Sequence, residues 1–382
     1  MTTADVYKAG TLAASLSADG LDTTFSYVSG YSGAPVAHTL PVGTRMARPG
    51  RALPPFFTNL LPEGRRLTAL QRAAKTSGDD DLTLLLATGA DTVGDVAVVP
   101  HGRPAESPRP LVHTDEPVDF AALLADYGID PVGIPGAQDK LSAGMITLPG
   151  LAASGAPAII KLNPPDYPFA VQNEGYFLRM ARGLGLPVVE AAIVSDATGT
   201  AGLVVRRFDR DQGLRAVEDA CQLLGRYPSD KYLMSAEEVA TAVADACAAR
   251  PVALRNVFLQ FAFAWLIGNG DLHAKNVSVL QAPSGEWRVA PMYDVLSTLP
   301  YRDHTMALSI GGRVDGLIRG HLVDFGRGLG LPAGVVERAL DTALRATASL
   351  DDDLAAGALP FNAALTRDIR RQLSRRRRDA QA

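Results

Sequence analysis

Residues 261–280 read "FAFAWLIGNGDLHAKNVSVL", and the stretch changes character at its centre. An apolar run from Phe261 to Gly268 is broken by Asn269-Gly270. Asp271, His273, Lys275 and Asn276 then fall within six positions, and a strand-like segment ending at Leu280 follows at once. Upstream, Arg255–Gly268 is apolar around nearly its whole circumference. A helix of that kind sits inside a domain rather than on its surface. The polar group therefore occupies a short loop pinned at both ends by buried elements, which suits precise placement of side chains.

The spacing of these groups carries chemistry. Asp271 and Asn276 form D-x-x-x-x-N. In phosphoryl transfer an Asp at the first position orients the accepting hydroxyl and takes its proton, and an Asn five positions on binds magnesium. A second carboxylate is then required for the metal. "NVSVL" and "WRVAPMYD", with "APSGE" between them, read as a hairpin whose end returns Asp294 beside Asn276. Magnesium favours such a sparse oxygen shell, completed by water and phosphate. Taken singly, each residue has a plainer reading. Asp271 is then a turn residue, His273 a structural hydrogen-bonder, Lys275 a solvated surface lysine and Asp294 a strand-end cap. Together they point to phosphotransfer, whereas no second His or Cys stands at zinc-ligand spacing.

A phosphotransferase also needs a cation for the phosphates. Lys161 ends the buried strand "AIIK", as a phosphate-pairing lysine does. In the helix that follows, read as beginning near Asn173, Glu174, Phe177, Leu178 and Ala181 share one stripe. Glu174 is thus placed to pair with Lys161. "VGIPGAQDK" offers a loop of Gly136, Ala137, Gln138 and Lys140 for phosphates, without a full glycine fingerprint. "VVRRFDR", with Arg206 and Phe208, suits a lobe-connecting hinge whose backbone meets adenine.

Composition bounds the rest. The chain has 382 residues, 47% hydrophobic and 20% charged, enough for two or three domains with a sizeable core. Lys plus Arg is 37 and Asp plus Glu is 41, a balance of −4 that speaks against a dedicated nucleic-acid binder. Two cysteines, Cys221 and Cys247, suggest a reducing compartment. The start "MTTADVYKAG" lacks a signal-peptide pattern. The run Val257–Gly268 is shorter than the ~20 residues a bilayer requires. A cytoplasmic protein is expected. Boundaries are expected after 110, at the Pro-rich "HGRPAESPRP", and near 215, beyond which the pattern is mostly helical. The first part, 1–110, opens with a hairpin of strands near Gly10–Ser15 and Thr23–Val28. "LTRDIRRQLSRRRR" reads as a basic helical tail whose end is solvated.

With these pieces in order, the chain resembles the HipA family of bacterial toxin–antitoxin serine/threonine kinases. The resemblance runs from about residue 5 to 325 and rests on "FFTNLLPEG", "GADTVGDVAVV", "GAQDKLS", "IIKL", "QNEGYFLRMARGLGL", "VVRRFDRD", "EDACQLLG", "WLIGNGDLHAKNVSVL" and "APMYDVLS", in the family's order. It implies an α+β, two-lobed kinase-like fold. A β-rich N-terminal subdomain (1–110) joins a nucleotide-binding lobe (111–215) and a mainly helical catalytic lobe (216–382). By position it makes Asp271 the base, Asn276 and Asp294 the magnesium ligands and Lys161 a phosphate contact. Val205–Phe208 become the hinge, and Asp209 and His273 lie near the nucleotide. It implies ATP and Mg2+ as cofactors. It implies a protein substrate, in known cases an aminoacyl-tRNA synthetase, whose modification stalls translation and growth. It further implies a HipB-like helix-turn-helix antitoxin that restrains the kinase and links it to DNA indirectly, and no membrane partner.

The sequence departs from the family at two places. The loop serine whose phosphorylation silences family members is here Gly133, leaving Ser142 as the nearest hydroxyl. The hinge carries Arg206 where an acidic residue is common. Two other classes fit less of the chain. Aminoglycoside- or choline-type phosphotransferases share the "GDLH" loop but lack the long N-terminal part. An inactive scaffold would have no reason to keep Lys161, Asp271, Asn276 and Asp294 together.

Overall fold

Ala9 and Gly10 both have left-handed backbone, with φ of 48° and 80°. Two such residues in a row make the tight turn that matches strand twist, and they fold β1 (Thr2–Lys8) onto β2 (Thr11–Asp19). With β3 (Asp22–Tyr27), β4 (Arg45–Arg48) and β5 (Val96–Pro100) these strands form an antiparallel sheet in the order β4-β3-β2-β1-β5. The expected hairpin is the β2–β3 pair. The strand that precedes it was not legible in the sequence. Ala4 and Val6, Ala14 and Leu16, and Phe25 turn one face of the sheet into a core. That core is closed by α1 (Pro55–Thr58) and α3 (Asp81–Thr88), and α2 (Gly64–Ala74) lies alongside.

This computed structural model describes residues 2–20, 22–75, 80–105, 119–126, 145–152 and 154–382. Gly133, the candidate loop residues Gly136, Ala137, Gln138 and Lys140, and Ser142 lie outside the described residues.

A second antiparallel sheet follows α4 (Phe120–Asp126). Its strands are β6 (Ile146–Leu151), β7 (Pro157–Leu162), β8 (Ala191–Ser195) and β9 (Ala201–Arg206), in the order β6-β7-β9-β8. Phe120 packs on one face, and α5 (Ala170–Ala181) covers the other through Phe177 and Leu178. The helix starts three residues before the expected Asn173, because Asn163 Oδ1 accepts from Val171 N at 2.8 Å and caps its first turn. Just before β8, Val188 forms an isolated parallel bridge to Met292.

The last part is mainly helical. Thirteen of the 18 residues of α8 (Arg250–Ile267) are buried, so it forms the axis that the other helices surround. Before it come β10 (Val217–Asp219), α6 (Ala220–Leu223) and α7 (Ala236–Ala246). After it come the hairpin β11 (Ser278–Gln281) and β12 (Trp287–Val289), paired as the sequence predicts. Four helices close the chain: α9 (Arg319–Gly328), α10 (Ala333–Ala346), α11 (Leu350–Ala355) and α12 (Ala363–Gln381). The basic tail is not simply solvated. Arg376 on α12 is buried and lies 3.9 Å above the Trp265 ring of α8. Among the described residues no helix is long and apolar enough to cross a membrane.

Candidate active site

The loop that carries Asp271 begins where α8 cannot continue. Gly268 has φ of 70°, and a Cβ there would stand 2.5 Å from Leu299 Cγ. Gly270 leaves room for Thr305 O, which a Cβ would meet at 2.4 Å. Glycine is therefore required twice within three residues. Asn269 Oδ1 accepts from Asp271 N at 2.9 Å, and Thr298 Oγ1 accepts from Gly270 N at 2.9 Å. Asn276 Nδ2 closes the loop on Asp271 O at 3.3 Å. The Asp271 carboxylate accepts from the Tyr232 hydroxyl at 3.0 Å. Asp271, His273 and Asn276 are 2%, 3% and 4% exposed, so all three are held in a dry, rigid turn.

Lys161, in the middle strands of the second sheet, donates to Glu174 of α5 at 2.8 Å and also pairs with Asp294. Burial alone would lower the lysine's pKa, but the two carboxylates outweigh it and hold the ammonium above its usual value. Burial pushes the Glu174 carboxyl up, against the pull of Lys161. Asp294 has left-handed backbone, with φ of 53°. Asp tolerates that region better than most residues, and its side chain keeps part of its surface open to solvent.

Lys161 and Asp294 stand in a cleft of about 330 Å³, within the range of small-molecule sites. Met145, Ile159, Val189, Val205 and Leu296 give it an apolar wall. Phe208 and Tyr293 stack beside them, with ring centroids 5.8 Å apart. Arg206 and Asp209 also line the cleft, but their side chains are engaged elsewhere. Arg206 pairs with Glu190 at 3.0 Å and with Asp211. Asp209 accepts from Arg207, Arg210 and Gly94 N at 2.7, 2.7 and 2.9 Å. The cleft thus gathers Lys161, Arg206, Phe208, Asp209 and Asp294, whereas Asp271, His273 and Asn276 do not line it. A wider depression of about 920 Å³, past Thr11, Tyr31 and Leu214, touches none of the candidate residues.

Three features escaped the sequence. Lys275 is not a solvated lysine: its side chain is only 13% exposed and bonds to Asp219 at 2.9 Å. Asn59, Pro62 and Glu63 of the first module line the same cleft as Lys161. Tyr232 reaches the candidate base from 39 positions away. Only Lys275 carried a signal, through its place inside the polar cluster; contacts across the chain leave no trace in local spacing. Asn276 and Asp294 each carry a side-chain oxygen of the kind magnesium takes; of the two, Asp294 lines the cleft.

Comparison with known proteins bears on the whole arrangement. The HipA N-terminal domain model matches residues 4–99, and the HipA-like C-terminal domain model matches residues 132–350. The serine/threonine-protein kinase toxin HipA of Shewanella oneidensis is 30% identical over 342 residues, 80% of this chain and 77% of its own. A Sinorhizobium fredii relative, Y4mE, is 33% identical over 318 residues, 72% of this chain and 73% of its own. The solved Shewanella oneidensis complex of HipA, HipB and operator DNA superposes with a TM-score of 0.79 and 26% identity, over 98% of this chain and 96% of that one. Both modules are matched in order, and the α+β two-lobed, kinase-like architecture is shared along nearly the full length: the chain belongs to the HipA family.

Proposed function

We propose that the protein is an ATP- and magnesium-dependent serine/threonine protein kinase that acts as the toxin of a two-protein module. The observation that carries this reading is the pairing of Lys161 with Glu174 behind it and with Asp294 beside it, at a cleft whose apolar wall suits a base. The buried loop of Asp271 and Asn276 leads directly into the hairpin that ends near Asp294. In the reaction the acceptor hydroxyl oxygen bonds to the γ-phosphorus as the bond to the β–γ bridging oxygen breaks. Asp271 orients that hydroxyl and takes its proton. Lys161, held by Glu174, meets the negative charge of the phosphates. Asn276 and Asp294 would hold magnesium, which would supply positive charge against the phosphates. Val205–Phe208 and Tyr293 hold the base; Gly136, Ala137, Gln138 and Lys140, outside the described residues, are assigned to the phosphates by the family resemblance alone. The functional division we propose is 1–110, 111–215 and 216–382.

The acceptor is proposed to be a hydroxyl of a translation component such as an aminoacyl-tRNA synthetase, with growth arrest as the outcome. A small helix-turn-helix antitoxin of the HipB kind restrains the kinase and supplies its link to DNA. The related HipA of Shewanella oneidensis is named a serine/threonine-protein kinase toxin and was solved with HipB and operator DNA, which supports both statements. The match of residues 4–99 to the HipA N-terminal domain disfavours the small-molecule phosphotransferase reading. The test is incubation of the chain and its Asp271→Asn variant with labelled ATP, magnesium and a bacterial lysate. One labelled protein band is expected, with at least a ~100-fold loss in the variant, the scale of a general base, and little change in ATP affinity. Full activity in the variant removes Asp271 from the chemistry.

A further inference from the structure

Lys275 lies one position before Asn276 and four after Asp271, yet its side chain leaves the loop. Its ammonium donates to Asn59 Oδ1 at 2.9 Å, to Asn59 O at 3.0 Å and to Asp219 Oδ2 at 2.9 Å. An ammonium has three donors, and all three are used. Each acceptor is itself fixed. Asn59, at the end of α1, donates from Nδ2 to Pro55 O and to Arg226 O, both at 2.8 Å. Asp219 caps α6 by accepting from Gln222 N at 2.8 Å, and Gln222 Nε2 donates to Phe56 O at 3.2 Å. A second lysine repeats the pattern. Lys231 pairs with Glu63, and its carbonyl accepts from Ala274 N at 3.2 Å. Glu63 Oε1 also stands 3.8 Å from the Lys275 ammonium.

The backbone of Lys275 points the other way. Its carbonyl accepts from the Tyr293 hydroxyl at 2.7 Å, and Tyr293 immediately precedes Asp294. One residue therefore touches the first module through its side chain and the neighbour of Asp294 through its carbonyl. Docking of the module does not need this contact. His38 already pairs with Glu218 at 2.7 Å, and Tyr227 donates to Leu53 O at 3.2 Å, both across the same junction. What the lysine adds is a fixed position for the loop.

We infer that Lys275 is a positioning residue through which Asn59 and Glu63 of the first module set the separation of Asn276 and Asp294, so that the N-terminal module is a working part of the phosphotransfer site. The inference rests on the kinase reading above. It makes the module more than a docking face: Asn59 supplies two of the three acceptors that hold the Lys275 ammonium, one from its side chain and one from its backbone.

The test uses the full chain and two variants. Lys275→Met keeps the aliphatic stem and removes the ammonium. Asn59→Ala leaves the catalytic loop's own sequence untouched and carries the test if Lys275→Met does not fold. The expected result is a fall in kcat on the order of 10²-fold for Lys275→Met, the scale of misplacing a reacting group by about 1 Å. The magnesium concentration for half-activation should rise as well. Asn59→Ala removes only the Oδ1 acceptor and leaves Asn59 O and Asp219 in place, so it should move both in the same direction by less, and in kcat the double variant should be no worse than Lys275→Met, whose ammonium is already gone. Amide hydrogen exchange over residues 271–276 should quicken in both variants, a readout that needs no turnover. A lowered Tm with unchanged kcat and magnesium response would reduce Lys275 to a structural tie and overturn the inference. So would wild-type exchange in both variants. An inactive wild-type chain whose variants still exchange faster would remove the kinase reading and leave the clamp standing.

Discussion

The Lys161 ammonium donates to both carboxylate oxygens of Glu174, at 2.8 and 3.1 Å, and the glutamate is fully buried. A buried carboxylate that grips a lysine with both oxygens fixes where that lysine points. Glu174→Gln keeps the shape and removes the charge. The loss of one charge-assisted hydrogen bond, about 1.5–3 kcal/mol, should raise the KM for ATP roughly tenfold or more. Steady-state titration of ATP checks it; an unchanged KM would mean that Asp294 alone orients Lys161.

Gly268 should resist substitution. Its φ of 70°, and Leu299 Cγ only 2.5 Å from where a Cβ would stand, penalise any side chain. Gly268→Ala should cost about 1–2 kcal/mol for the left-handed backbone alone, and the clash adds to it. Activity should fall further than stability, because the displaced loop carries Asp271. Thermal unfolding and phosphotransfer, measured on the same preparation, separate the two effects. A variant with wild-type Tm would show that the helix end relaxes freely.

Much of this site was legible because its parts are local. The apolar helix, the break at 269–270, the D-x-x-x-x-N spacing and the hairpin to Asp294 all lie within one stretch of chain, and Lys161 with Glu174 spans 13 positions. Periodicity and spacing report such neighbours. Asn59 and Lys275 are 216 positions apart, and Tyr232 and Asp271 are 39 apart. No pattern in either segment announces the other. The same limit hid β1 and β5, whose pairing joins residues 4–8 to 96–100. The helix start at Ala170 was missed for a different reason: a cap from Asn163, seven positions before the first helical residue, overrides the usual boundary signals.

Asp209 should govern acid stability where the segment after β9 meets the first module. It is buried, and although burial opposes ionisation, the bonds from Arg207, Arg210 and Gly94 N hold its pKa below the usual carboxylate value. A carboxylate whose folded pKa is depressed contributes stability above its unfolded value, about 3.9, and loses it as pH falls through the folded one. Wild-type Tm should therefore drop steeply below about pH 4. Asp209→Asn should start lower, by about 3–5 kcal/mol for a broken buried pair, and show a shallower acid limb. Parallel limbs in the two proteins would remove Asp209 as the titrating group.

Arg376 is the buried arginine of α12. Its guanidinium lies over the Trp265 ring, donates to Trp265 O at 3.0 Å and also reaches His304 O. Burial lowers its pKa to about 10, so it remains charged at neutral pH. Trp265 sits in the last turn of α8, three residues before Gly268, so this arginine braces the end of the helix from which the Asp271 loop departs. A desolvated cation–π contact contributes about 2 kcal/mol, and carbonyls left without their charged donor add about 1–3 kcal/mol. Arg376→Met should therefore lower the Tm clearly. Arg371, exposed and paired with Asp368 on its own helix, supplies the comparison, and Arg371→Met should stay within about 0.5 kcal/mol of wild type. Chemical denaturation of the two variants side by side decides the matter: equal, small losses would mean that α12 holds through its apolar face, Ile369 and Leu373, and that the arginine only rests on the tryptophan.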